Sequence, residues 1–225
     1  MLIPLLSLAY AGVVLYNVFV VNGTPYNTLY ALHPICACLF IVFATLGMSA
    51  AQGIRGKVAQ SMHTKEPYIT RHAIYNWLAL FSLAGASATI YLNKERNSRP
   101  HFATYHGITG GLSGAFFVGN VLGGASMNAL PSLSKYLRFH RLNGYLIYSA
   151  LLAAHGTAVW RGYAGFAVKT AADSGSSGRI QDLVALYGRH ALVALLGLIW
   201  LSTTARMKLS LLPGGGGGDK KVKAQ

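Results

Sequence analysis

The stretch His101–Gly114, HFATYHGITGGLSG, opens one of the most apolar segments of the chain with two histidines and a run of glycines. An ionisable ring inside a lipid-bound segment is a functional residue by default, because hydrocarbon penalises polar groups without a task. Glycine costs a helix roughly 1 kcal/mol relative to alanine, so Gly107, Gly110, Gly111 and Gly114 also need a cause. Two causes compete: close approach of neighbouring helices, or room for a flat group lying against His106.

The composition sets the context. Of 225 residues, 53% are hydrophobic and only 11% charged, whereas charged residues make up about 25% of a soluble domain. Six stretches, roughly 2 to 21, 30 to 51, 72 to 92, 102 to 124, 142 to 160 and 190 to 207, are each long enough to cross a bilayer at about 1.5 Å per residue. The expected fold is an all-α membrane protein: six transmembrane helices joined by short loops into one bundle. The first stretch has no Lys or Arg ahead of it, none occurring before Arg55, and is longer than the apolar core of a secretory signal, so a retained helix is expected.

Net charge is +14, and in a membrane protein the distribution of that charge matters more than its sum. With six spans, the termini share a side with the 52–71 and 125–141 loops. That side holds twelve of the 19 cations, from Arg55, Lys57, Lys65 and Arg71 to Lys220, Lys221 and Lys223, against seven opposite. The positive-inside rule makes it cytoplasmic, both termini included. The charge is thus accounted for without a nucleic-acid partner. The glycines at 214–218 and the closing DKKVKAQ read as a flexible basic tail.

Cys36 and Cys38 lie two apart in the second span and face different ways on a helix, which disfavours a disulfide or a thiolate metal site. No C-x-x-C-H occurs, so covalent c-type haem attachment is excluded.

Four of the eight histidines share one position. His33 follows a start signal at Asn27-Thr28, His72 follows Pro67, His106 follows Pro100 and His140 follows Pro131, each five to nine residues on. Proline suits a helix's first turn, which places these histidines one to three turns inside their helices. Because successive spans alternate direction, His33 and His106 fall at one depth near the outer face, and His72 and His140 near the inner face. Two imidazoles facing each other from different helices are what a bis-histidine haem iron needs. One turn beyond the histidines stand Ala37, Gly110 and Gly144, small enough to admit a flat porphyrin, but Asn76 breaks the pattern.

The other histidines divide differently. His101, beside Arg99 and Phe102 near the outer headgroups, meets either a substrate or the interface. His63 falls in a cytoplasmic loop, and His190 starts the sixth span. His155 lies 15 residues past His140, toward the depth of the outer pair; packing is its leading role, with a propionate hydrogen bond, a proton relay or replacement of His33 as alternatives. Tyr75, Trp77, Phe116 and Phe117 are core aromatics that can also stand between the two sites. Around the inner pair gather Lys65, Arg71, Lys135, Arg138 and Arg141, partly by positive-inside bias and partly suited to an anion approaching from the cytosol.

These residues resemble the cytochrome b561 family, in its small six-helix members. The matching words are LHP at 32–34, RH at 71–72, HFATYHGITG at 101–110 and KYLRFHRLNGYLIYSA at 135–150. The resemblance covers helices 2–5, the family's four-helix di-haem core. It implies a transmembrane oxidoreductase with two non-covalent b-type haems, moving electrons from cytosolic ascorbate to ascorbyl radical or a ferric chelate opposite. Ligands carry over as His33 with His106 and His72 with His140, and cytosolic ascorbate binding carries over to Lys65, Arg71, Lys135 and Arg138. His101 and Phe102 are the candidates on the outer substrate side, and a homodimer is the family's habit. The chain then divides into a first helix and outer loop (1–29), the di-haem core (30–160), an outer loop and sixth helix (161–212) and a tail (213–225).

The competing class is a proton-coupled or metal-ion transporter working through intramembrane histidines. It predicts acidic residues within the spans, yet Glu66, Glu95, Asp173, Asp182 and Asp219 all fall in the expected loops and tail.

Overall fold

A computed structural model describes residues 2–54, 62–160 and 178–204, less the side chains of 62–65, 131, 134 and 178–187. Six α-helices follow in order: α1 (Leu2–Tyr16), α2 (Leu29–Ile54), α3 (Met62–Arg96), α4 (Tyr105–Ala129), α5 (Leu137–Trp160) and α6 (Gly178–Thr204). Among the described residues there is no strand. The basic tail and the 161–177 loop lie outside the described residues.

Among the described residues, four helical stretches are long and apolar enough to cross a membrane, over Leu2–Val21, Leu29–Ile54, Glu66–Arg96 and Tyr105–Ala129. The sequence of α5 is less apolar because it carries Arg138, His140, Arg141, Asn143 and His155. Large apolar side chains face outward along the bundle, Leu5, Phe81, Leu112 and Leu146 each being 60% exposed or more. In water such a surface is a liability; in lipid it is the stable arrangement.

Helix starts depart from the proline-based expectation. α3 begins five residues before Pro67, which sits inside the helix, so His63 belongs to helix rather than loop, its side chain being outside those described. α4 starts only at Tyr105, capped by Thr104, whose hydroxyl accepts the Gly107 N–H at 3.1 Å. His106 is therefore in the first turn, and Pro100 belongs to the preceding loop. Pro131 opens a short 3-10 turn ahead of α5, and α6 begins well before His190. Only α2 starts where its cap signal says: Thr28 Oγ1 accepts the Ala31 N–H at 3.2 Å, as a Thr N-cap should.

Packing is uneven. α2 lies along α3, and α4 along α5, as two intimate hairpins, while contact between the hairpins is sparse. α1 and α6 pack on each other and on α2 and α5. Thr45 on α2 and Tyr148 on α5 share a buried 2.8 Å hydrogen bond, and Gln52 of α2 donates to the Thr203 carbonyl of α6. These satisfied polar contacts fix the register where lipid-like side chains alone would let helices slide.

Candidate functional site

The four histidines meet across the gap between the hairpins. His33 of α2 faces His106 of α4 with ring centroids 6.2 Å apart and planes at 79°. His72 of α3 faces His140 of α5 at 6.3 Å and 86°.

Three of the four rings are held from behind by their own hairpin. His33 Nδ1 donates to the Ala86 carbonyl of α3 at 2.8 Å, His72 Nδ1 to Gly47 of α2 at 2.9 Å, and His106 Nδ1 to Ala154 of α5 at 2.9 Å. A carbonyl only accepts, so the hydrogen must be on Nδ1 and the neutral ring carries its lone pair on Nε2. His140 Nδ1 is buried beside the Asn120 backbone of α4 but does not reach hydrogen-bond geometry. Such backbone anchors fix tautomer and ring orientation in ligating histidines.

The anchors obey a rule that no sequence motif announces. Gly47 lies fourteen residues after His33, Ala86 fourteen after His72, Asn120 fourteen after His106 and Ala154 fourteen after His140. Each of α2 to α5 thus carries one of the facing histidines and, four turns on, the backbone position opposite its antiparallel partner's histidine, whose carbonyl makes the bond in three of the four cases. Fourteen residues span about 21 Å, which sets the separation of the two histidine layers.

These pairs fit a bis-histidine haem. Two imidazoles on opposite sides of one metal, with bonds of about 2 Å and about 1.1 Å from nitrogen to ring centre, hold their centroids about 6.2 Å apart. Two nitrogens per site suit a metal whose other positions a macrocycle fills. Space fits as well: nothing stands within 4 Å of a Cβ placed at Gly110, and at Gly124 a Cβ would strike His140 Cε1 at 2.8 Å. The remaining glycines of the opening stretch serve packing. A Cβ at Gly111 would meet the Phe102 ring at 2.6 Å, and one at Gly114 would touch Leu83 of α3 at 3.6 Å. Asn76, which broke the small-residue pattern, packs over Gly47 and donates to its own helix at the His72 carbonyl, 2.7 Å away.

The remaining candidates are scattered. His101 binds Glu95 through Nε2 at 2.6 Å and stacks on Tyr91 at 4.5 Å, while Phe102 folds over Gly111 with a positive φ of 53°. His155 Nδ1 stands 3.5 Å from the hydroxyl of buried Tyr10, one residue from the carbonyl that anchors His106. Arg71, Lys135 and Arg138 are exposed, and Lys135 Nζ lies 5.2 Å from the Tyr136 ring centre; the Lys65 side chain is outside the described residues. Between the layers, buried Phe117 stacks edge-on against Phe40 at 5.2 Å. Phe40, seven residues from both His33 and Gly47, escaped the sequence reading because one more Phe in an apolar helix carries no signal. Phe116 and Trp77 point outward instead, at 66% and 37% exposure.

Residues 32–165 match the family of eukaryotic cytochrome b561. No curated protein matches the chain. The family match covers more than half of the sequence and includes all four facing histidines and all four anchor positions. The chain therefore belongs to the cytochrome b561 family, as an integral membrane, haem b-binding oxidoreductase that transfers electrons across the bilayer in company with a redox partner.

Proposed function

We propose that the chain carries electrons from cytosolic ascorbate to ascorbyl radical or a ferric chelate on the opposite side, using two haems b. His72 and His140 hold the inner group and His33 and His106 the outer one; haem, when bound, supplies the one-electron iron couple. The carrying observation is the pair of facing imidazoles at 6.2 and 6.3 Å, in two layers four turns apart.

The chain's own residues do the rest. Backbone anchors present the histidine lone pairs without reorganisation. Arg71, Lys135 and Arg138, with Lys65, attract and orient the ascorbate anion at the inner end. The apolar 30–160 core excludes water between the layers, flanked by 1–29 and 161–212, with 213–225 as a tail. Both termini are cytoplasmic on the cation bias. His101 and Phe102 sit at the outer mouth, and two copies associate as a homodimer.

The test is sided. In vesicles loaded with ascorbate, with the Lys135–Arg138 end facing the lumen, external ferric citrate is reduced and replacement of Arg71 and Arg138 by Gln raises the ascorbate concentration needed severalfold. Ferric reduction indifferent to these cations, or to luminal ascorbate, would overturn the donor and its side.

A further inference from the structure

On the face of α4 that carries Phe116, Gly119 and Gly123, about 100° round the helix from His106 and Phe117, α4 and α5 enclose a groove of about 570 Å³, within the size range of small-molecule sites. Its walls are Phe116, Phe139 and Leu146, each more than 60% exposed. Its floor is flat because Gly119 and Gly123 carry no side chain, and a Cβ at either would meet nothing within 4 Å. The ring of His140 forms part of the lining, so the groove backs directly onto the inner pair.

Two amides break the apolar lining. Asn120 and Asn143 line the groove, and neither side chain makes a hydrogen bond among the described residues. Asn120 lies about 14 Å along α4 from its inner end, within a span where water does not satisfy an amide, and Asn143 stands exposed at the inner edge of the 142–160 stretch. An unpartnered amide inside a span is strongly unfavourable. The complementary occupant reaches the groove through lipid, brings carbonyl acceptors for two N–H donors, and has a flat ring for a glycine floor between aromatic walls.

We propose that this groove binds a lipid-dissolved para-quinone, and that the chain delivers electrons to it beside the inner pair as well as to an acceptor across the membrane. The reaction rests on ascorbate being the donor. Two ascorbate monoanions each lose one electron and one proton to become ascorbyl radicals, and the quinone gains both electrons and both protons to become the hydroquinone. Diacyl lipid offers ester carbonyls of similar chemistry but no ring, and the flat floor decides between them.

The probe is decylubiquinone with the haem-loaded protein in nanodiscs. Binding is measured first on oxidised protein without ascorbate, by quinone-induced perturbation of the haem spectrum and by isothermal titration; hydroquinone formation is then followed with ascorbate present. Saturable binding is expected, weakened at least tenfold by Gly119→Leu, which fills the floor, and by Asn143→Leu, which removes a donor. Haem content and the rate of haem reduction by ascorbate should stay as in the parent. Binding without hydroquinone formation retains the site but overturns the delivery of electrons, provided ascorbate reduces the haems. If ascorbate fails to reduce them, the donor assignment falls while the binding arm still decides the groove. Absence of saturable binding, equal binding by both variants, or a change of oligomeric state in Gly119→Leu as the only effect overturns the proposal.

Discussion

His140 turns its ring across Gly124 so closely that any side chain there must displace it. Gly124→Val is therefore expected to remove the inner haem and spare the outer one, halving the haem-to-chain ratio measured by pyridine haemochrome, while Gly123→Val, in open space, leaves it unchanged. His106→Ala makes the reciprocal prediction: the outer haem is lost and the inner one stays reducible, and loss of both or of neither contradicts the pairing. The four histidines were legible because each stands near a helix mouth in a segment that otherwise excludes charge. Their anchors were not, since a backbone carbonyl belongs to every residue and only the antiparallel fold brings the fourteenth one opposite a ring. His101 and Phe102 read as surface candidates, but local contacts to Glu95, Tyr91 and Gly111 engage both.

Helix ends and helix registers carry the next level of control. Thr104 caps α4 two residues before His106, so the cap holds the turn that presents the outer ring. Thr104→Ala should cost about 1 kcal/mol, seen as a lower melting temperature with easier loss of the outer haem, and Thr104→Ser should restore both; an unchanged melt would remove the cap from the account. Farther down, Tyr148→Phe leaves the Thr45 hydroxyl without its 2.8 Å partner, a buried loss of about 1–2 kcal/mol that a thermal melt in detergent measures without any change in haem content. Span existence was readable from apolar runs, while starts were not wherever proline was taken as the marker. Pro67 lies inside α3 because that helix extends farther from the apolar span than hydropathy reveals, and Pro100 belongs to a loop because Thr104, not proline, supplies the cap.

At the scale of the whole molecule, two tight hairpins stand apart and the facing histidines bridge the gap. Sparse contact between hairpins would be a packing defect in a bundle that held nothing, since close contact is what stabilises helices in lipid; under the proposed function, a large flat ligand in each layer would supply the missing surface. Haem-free protein is accordingly expected to unfold at markedly lower temperature than loaded protein, by mass action on a folded-state ligand. The bundle itself was legible from composition and alternating spans, but the fourfold register that places the layers about 21 Å apart emerges only when the helices are paired. The most direct measurement is the ascorbate-reduced minus oxidised spectrum of the purified protein, with iron porphyrin counted per chain. Two low-spin, bis-histidine b-type haems per chain, both reducible, are predicted. A protein that carries no haem, or one whose iron lacks a second histidine, would contradict the account.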